Sequence, residues 1–202
     1  MSLPTTSYSS ESKNNFVVGA GVVVHDFKYD SSTSKYTFES FGATTGGSTI
    51  SLSNELRQME IDGLLTTPVG GDMIDSSEGT MELNLLEHTL ENIALAVNGT
   101  VETSTGDDGF ATGVKYVKPS GTLSEEDYIK DLAHISKLSN GDYLVVKFDY
   151  AICTEGLEMN PQDRNDNTMT ITLGARTNPD NLSNTALPVK IARIPASDLP
   201  TG

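Results

Sequence analysis

The sequence has no tryptophan, a single cysteine and no long apolar run. One cysteine, Cys153, excludes a disulfide within the chain and is typical of a reducing cytoplasm. Its place in an apolar strand pattern predicts burial. Without about 18 consecutive apolar residues, no segment is predicted to span a membrane. The first residues also lack the basic start and apolar core of an export signal, so we expect no export.

Basic residues are scarce as well. The chain holds 13 lysines and arginines against 28 aspartates and glutamates, for a net charge of −15. Binding nucleic acid through its phosphates needs clustered cations, so the composition excludes that class of function. Solubility by itself is a sufficient explanation for an acidic balance of this size.

Signatures of catalysis and of cofactor binding are missing too. His25, His88 and His134 are scattered, with no pair four residues apart and no companion cysteines, so no zinc site is predicted. The glycine-rich stretch 42–48 approaches a phosphate-binding loop, but Ser48 stands where that loop needs a lysine. We therefore predict no enzyme, no catalytic residue, no metal and no cofactor.

What the chain does contain favours strands and turns. The apolar fraction is 36%, and glycine, serine, threonine and asparagine make up much of the balance. A length of 202 residues suffices for one domain with a real core. We predict a single domain over residues 16–194, with a flexible N-terminal segment at 1–15 and a flexible C-terminal tail at 195–202.

Period-two alternation of apolar and polar residues predicts a series of strands. The most apolar of them, 143–153, is expected to place five side chains on one face. These are Leu144, Val146, Phe148, Tyr150 and Ile152. Residues 125–135 follow a helix-like start at Ser124, and both helix and strand stay open for them. The predicted strands cover 16–27, 35–41, 49–52, 56–61, 80–85, 114–117, 143–153, 168–175 and 186–194.

The stretch 41–97 organises the rest, as strand, long loop, strand and helix. The loop, 62–79, holds Pro68 and four glycines and is longer than a connection needs, which is typical of functional loops. Its apolar side chains would face water in a monomer, so we expect a partner chain to cover them. The helix is predicted to begin after Thr89 as N-cap and to stop before Gly99.

Four segments, in this order and spacing between about Phe16 and Ile194, carry a resemblance to a known family. They are GATTGGSTISLSNELRQMEIDG, MELNLLEHTLENIALAV, DYIKDLAHISKLSNGD and AICTEGLEMNPQDRNDNTMTITLGA. The series resembles the major tail (tail tube) proteins of long non-contractile-tailed phages. The resemblance implies a mainly β fold: a β-sandwich or partly closed barrel of two antiparallel sheets with one flanking α-helix and a long inter-strand loop.

The resemblance also implies a function. Such proteins form hexameric rings that stack into a hollow tube in the virion, after assembly in the host cytoplasm, with tape measure and terminator proteins as partners. DNA passes through the lumen without specific binding. The alternative left open is a monomeric β-sandwich binding or adhesin module of a virion or cell surface.

Two groups of residues receive roles from this resemblance. The lumen-facing group is Gln58, Glu60, Glu82 and Asn84, within a stretch of nine acidic residues and one basic residue between 41 and 97. An acidic lumen would let DNA slide. The ring-stacking loop is Leu64, Leu65, Pro68, Val69, Gly70, Gly71, Met73 and Ile74.

Overall fold

The computed structural model describes residues 7–159, 161, 163, 167–181 and 186–200. Strands dominate these ranges, and one short α-helix interrupts them. The elements are β1 Val17–Asp30, β2 Lys35–Ser40, β3 Thr44–Gln58, β4 Asp72–Leu85, α1 Leu90–Ala96, β5 Gly99–Thr103, β6 Lys115–Pro119, β7 Ile129–Leu138, β8 Tyr143–Cys153, β9 Glu158–Met159, β10 Met169–Arg176 and β11 Val189–Ile194.

Within the described ranges, nine strands form one antiparallel sheet: seven follow the order β2-β1-β7-β8-β10-β4-β3, β11 pairs with β8, and β9 pairs with β10. Strands β5 and β6 form a second, small sheet. The large sheet branches at β8, whose first half pairs with β11 and whose second half pairs with β10. It also curls, because β3 returns close to β1 where Gly47 faces Ala20. Among the described strands, β1 and β3 are not hydrogen-bonded to each other, so the barrel stays open. The predicted fold class is confirmed.

Strands β1, β7 and β8 have buried side chains on both faces. The main core lies inside the curl, where Met81, Leu83 and Leu85 of β4 meet Phe148 of β8 and the inner face of α1. A second cluster lies on the other face of β1, β7 and β8, around Phe27. Apolar residues at both odd and even positions of 143–153 reflect this double burial, as in other strands that pack on both faces.

The helix begins where the sequence predicts. The Thr89 hydroxyl accepts a hydrogen bond from the Asn92 amide at 3.1 Å, which satisfies one of the free N–H groups at a helix start. At the other end Asn98 takes a positive φ of 48°, and asparagine is one of the few residues that tolerate that conformation. The left-handed position that ends the helix is therefore Asn98, one residue before the predicted stop at Gly99.

Several predicted boundaries are wrong. The predicted strands 49–52 and 56–61 are one continuous strand, β3, which ends at Gln58. The strand predicted from Thr80 starts at Asp72, because Asp72 to Gly79 pair with the far half of β3 although they lack clean alternation. β5 lies in a segment predicted as loop. Residues 125–127 form a single 3-10 turn, after which β7 runs from Ile129 as a strand.

The single apolar face predicted for β8 is also wrong. Val146 and Phe148 face the main core, but so do Ala151 and Cys153, so the alternation changes phase at Asp149 and Tyr150. The paired strand β7 changes phase at the same level, where Asp131 has a positive φ of 50°. Because both strands shift together their pairing is kept, and Lys130 and Tyr150 turn to the opposite face.

The chain ends meet the body at two places. Near the N-terminus, Arg193 Nη1 donates to Asn15 Oδ1 at 3.3 Å. Near the C-terminus, Leu199 is buried in the second cluster, although it lies in the segment predicted as a tail. Within the described residues, no helix is long and apolar enough to cross a membrane.

Candidate functional site

The most unusual feature is a hairpin arm, which we define as residues 53–78. It consists of the far halves of β3 and β4 and the loop 59–71 between them. In the body of the sheet, outside the arm, β4 lies between β3 and β10 and pairs with both. From Glu78 outward, β4 pairs only with β3, because β10 ends its pairing opposite Thr80. The arm is thus a two-stranded ribbon that extends beyond the third strand.

Nothing in the described chain covers either face of this ribbon. Residues 51–66 and 72–76 are all exposed, and Leu65 and Val69 are fully so. Fully burying one such side chain is worth about 1.5–3 kcal/mol, so a surface with many of them gains much from a partner. The exposed apolar residues of the arm are Leu56, Met59, Ile61, Leu64, Leu65, Val69, Met73 and Ile74.

The ribbon is held in register by its own polar side chains. Ser76 donates to Glu55 at 3.0 Å and Ser77 donates to Asn54 at 2.7 Å, across the two strands. Arg57 reaches Asp75 with an N···O distance of 3.3 Å, and a β-bulge lies at Leu56. The arm contains six acidic residues and one basic residue. A partner that binds the arm therefore contacts apolar side chains with carboxylates beside them.

A second feature is a polar face on the outer side of β3, β4 and β10. The register places Thr49, Glu82 and Thr172 side by side across the three strands, with Asn84 beside Thr170. Thr170 donates to Asn84 at 2.7 Å, and Thr172 donates to Glu155 at 2.7 Å. The polar face consists of Thr49, Ser51, Ser53, Glu55, Ser76, Glu78, Thr80, Glu82, Asn84, Thr170 and Thr172.

The predicted lumen-facing group is not one cluster. Glu82 and Asn84 lie together on the polar face, opposite the buried Met81 and Leu83, as their alternation predicts. Gln58 pairs with Asp72 at the far end of the arm, about 30 Å along the strand from Thr49 and Glu82. Glu60 lies in the loop beyond it.

The predicted group assumes that 56–61 and 80–85 pair as an antiparallel hairpin, and this assumed pairing is wrong. In the structure Thr80 pairs with Ser51, and Leu56 pairs with Ile74. Gln58 also has the strand parity of Leu56 and Ile50, so it belongs to the opposite face from Glu82. Thr170 and Thr172 of β10 lie on the polar face in their place. Their alternation with Met169 and Ile171 in the sequence could have identified them.

The predicted stacking residues divide between the loop and the strand. The tip, 59–71, contains the first six of them, Leu64, Leu65, Pro68, Val69, Gly70 and Gly71, and there only Gly71 is buried. Met73 and Ile74 belong to β4, where they are 43% and 63% exposed. All eight therefore share the hairpin arm, while their role in stacking stays a prediction.

The described residues offer little for acid–base or metal chemistry. Within them, no group of three or more histidine, cysteine, aspartate or glutamate side chains could hold a metal ion. His134 lies under the Gly21 bulge of β1, with Nε2 3.3 Å from the Ala20 carbonyl oxygen, and burial lowers its pKa. Cys153 is buried, as predicted, and burial raises the pKa of its thiol.

On the small sheet, the hydrogen bond from Tyr116 to Glu102, 2.8 Å long, raises the pKa of Tyr116 to about 12. The tyrosine therefore stays neutral at any ordinary pH, and its ring stacks on exposed Phe110 at a centroid distance of 5.5 Å.

Comparisons with known proteins give few matches. No protein-family model matches the chain, and no curated protein matches it. Among solved structures, the chain is similar to a component of a structure described as "Virion of native gene transfer agent (GTA) particle". The identity is 10%, the match covers 79% of this chain and 92% of that chain, and the TM-score is 0.37.

Proposed function

We propose that this chain is a self-assembling structural subunit of a phage-type tail tube and that it has no enzymatic role. The observation that carries the proposal is the hairpin arm, whose apolar side chains are uncovered on both faces of a two-stranded ribbon. An isolated ribbon of this kind is marginal in water and gains stability when a third surface packs against it. A second copy of the chain supplies such a surface repeatedly, as a tube requires.

The polar face supports the same proposal. The residues that define it supply only hydroxyl, amide and carboxylate groups, and Arg176, on the same side of β10, lies at the end of that strand. Most of the face therefore offers phosphate no charge to hold. If that face lined a lumen, DNA would pass it without being gripped. Hexameric rings, stacking through the arm, a virion location and contact with tape measure and terminator proteins all belong to this proposal.

Shortening the arm tests the proposal directly. Glu55 and Ser76 are directly paired, so replacing residues 56–75 by Asn-Gly closes the same two strands with a two-residue turn suited to hairpins. We expect the wild-type chain to form rings or tubes in negative-stain images. The shortened chain should stay a monomer in sedimentation velocity and keep a β-rich circular dichroism spectrum with a cooperative unfolding transition.

Point variants supply the matched control. Leu65→Ser with Val69→Ser removes two fully exposed apolar side chains of the arm and should weaken assembly without affecting the fold. Leu123→Ser removes an apolar side chain that is 53% exposed outside the arm and should leave assembly intact. Tubes from the shortened chain would refute the role of the arm. A wild-type chain that stays monomeric at every concentration would favour the binding or adhesin module.

A further inference from the structure

A small cleft on the outer face of β7, β8 and β10 collects two cations in an otherwise acidic protein. Lys130 pairs with Tyr150 across β7 and β8, and Tyr150 pairs with Arg176 across β8 and β10. The three side chains therefore share one face in a row, with the two cations two strand spacings apart, about 10 Å. The phase change at Asp131 and Asp149 is what turns Lys130 and Tyr150 to this face.

The row borders a cavity of about 300 Å³. Tyr128 and Thr177 bring further hydroxyl groups to its wall, and Pro179 and Glu125 complete it. Hydroxyls of this kind donate hydrogen bonds to oxyanions, and tyrosine rings give an apolar contact beside them. The cavity is large enough for acidic side chains and too small for a folded partner.

Neither cation has a carboxylate partner among the described residues, whereas most cations of the large sheet do. Lys147 lies 2.6 Å from Asp131, and Arg193 lies 2.9 Å from Asp142. Among the described residues, Arg176 donates only to the carbonyl of its neighbour Ala175, at 2.8 Å, which leaves its other N–H groups for a ligand. In a chain with 28 acidic residues, two neighbouring cations that form no ion pair with a described carboxylate are a surface complementary to an anion.

We propose that this cleft binds an extended acidic peptide segment of a partner, through two carboxylates that alternate with a neutral residue. In an extended chain, side chains two residues apart lie on one side, about 7 Å from each other. The backbones of Lys130 and Arg176 are about 10 Å apart, and their long side chains can bend inward to contact two carboxylates at the shorter spacing. Glu125 at the wall opposes the ligand by like charge and limits its affinity. This site goes beyond self-assembly and does not depend on it.

The test is fluorescence anisotropy of a labelled Ser-Glu-Ser-Glu-Ser peptide with the full-length chain at low salt. The Lys130→Gln, Arg176→Gln double variant should weaken binding at least about tenfold, the usual effect of losing a charge-assisted hydrogen bond. Glu125→Gln should tighten binding about twofold, which a misfolded variant would not do. Added sodium chloride should weaken binding, because the contacts are exposed.

Lys137→Gln is the matched control. Lys137 lies on the same strand and also pairs with a tyrosine, Tyr143, but the next strand there offers Ile194 in place of a cation. This variant should bind the peptide like the wild type. The proposal is overturned if Ser-Gln-Ser-Gln-Ser binds equally well, if the double variant binds like the wild type, or if Lys137→Gln is equally weakened. It is also overturned if inorganic phosphate at matched ionic strength displaces the peptide, because the cleft is then a phosphate site.

Discussion

The two halves of the β3–β4 hairpin both carry apolar side chains, but these side chains have opposite environments. In the body half, Met81, Leu83 and Leu85 are completely buried. In the arm half, Leu56 and Ile74 lie on the same side of the ribbon and are 59% and 63% exposed. The difference comes from a third strand and a helix: β10 and α1 cover the body half and do not reach the arm. An apolar residue on a strand is thus buried only where another layer exists.

The largest expected effect is that of a truncation in the body half. Leu83→Ala removes a fully buried side chain beside Ile171 and should lower the free energy of unfolding by about 2–5 kcal/mol. Leu56→Ala in the arm should change it by less than about 0.5 kcal/mol. Urea unfolding of the unassembled chain measures both values. A large loss for Leu56→Ala would mean that the arm packs onto the body in the free chain.

A glycine pair sharpens the same comparison. An added Cβ at Gly21, where φ is 73°, would lie 2.6 Å from the His134 ring, so Gly21→Ala should cost roughly 2–4 kcal/mol. Gly70 in the arm also has a positive φ, 87°, but nothing lies within 4 Å of its added Cβ. Gly70→Ala should therefore cost only about 1–2 kcal/mol of local strain. Comparable losses in thermal unfolding would contradict the open surroundings of the arm tip.

Acid should weaken the body through His134. Burial lowers the pKa of this histidine below the ordinary 6.5, so the unfolded chain binds its proton first as the pH falls. The stabilisation is complete above pH 6.5 and is lost between 6.5 and the lowered pKa, by at most about 1.4 kcal/mol per pH unit for one proton. His134→Gln should flatten this part of the stability curve. An identical slope in that variant would assign the acid loss to other groups.

The smallest effect on stability is expected on the polar face. Glu82 is exposed, so Glu82→Lys should change the free energy of unfolding by about 0.5 kcal/mol or less. If the polar face lines a lumen, assembled tubes of this variant should retain DNA that wild-type tubes release, most clearly at low salt. The measurement is DNA ejection from virions that carry the change, and equal ejection rates would remove the electrostatic role of this face.

Much of the fold could be predicted from local patterns. The alternation at Thr80–Leu85 gives the buried and polar sides of β4, and Thr89 gives the helix start. What local patterns could not give is register: Leu56 and Thr80 look like the ends of one hairpin, yet each pairs elsewhere. Side chains alternate between the two faces along every strand, so a shift of the partner strand by two residues keeps the same apolar and polar faces. Several registers therefore fit the same sequence pattern until pairing with a third strand selects one.

The candidate site divides in the same way. The apolar residues between 64 and 74 identify a segment that needs a partner, because a loop of this length cannot bury so many apolar side chains by itself. Their arrangement on a ribbon could not be predicted, since Asp72–Gly79 lacks alternation and becomes a strand only by pairing with β3. The cation cleft had no local signal at all, because Lys130, Tyr150 and Arg176 are far apart in the chain.

The sequence by itself determined the class of the fold, the residue at which the helix α1 begins, the acidic charge and the existence of an uncovered apolar segment. These properties depend on composition and on neighbours within a few residues, where the chain's own geometry is sufficient. Only the tertiary structure decided the pairing of β3 with β4, the separation of Gln58 and Glu60 from Glu82, and the meeting of Lys130 with Arg176. Each of these depends on contacts between distant segments, which form where packing and hydrogen bonding across the whole sheet are satisfied together.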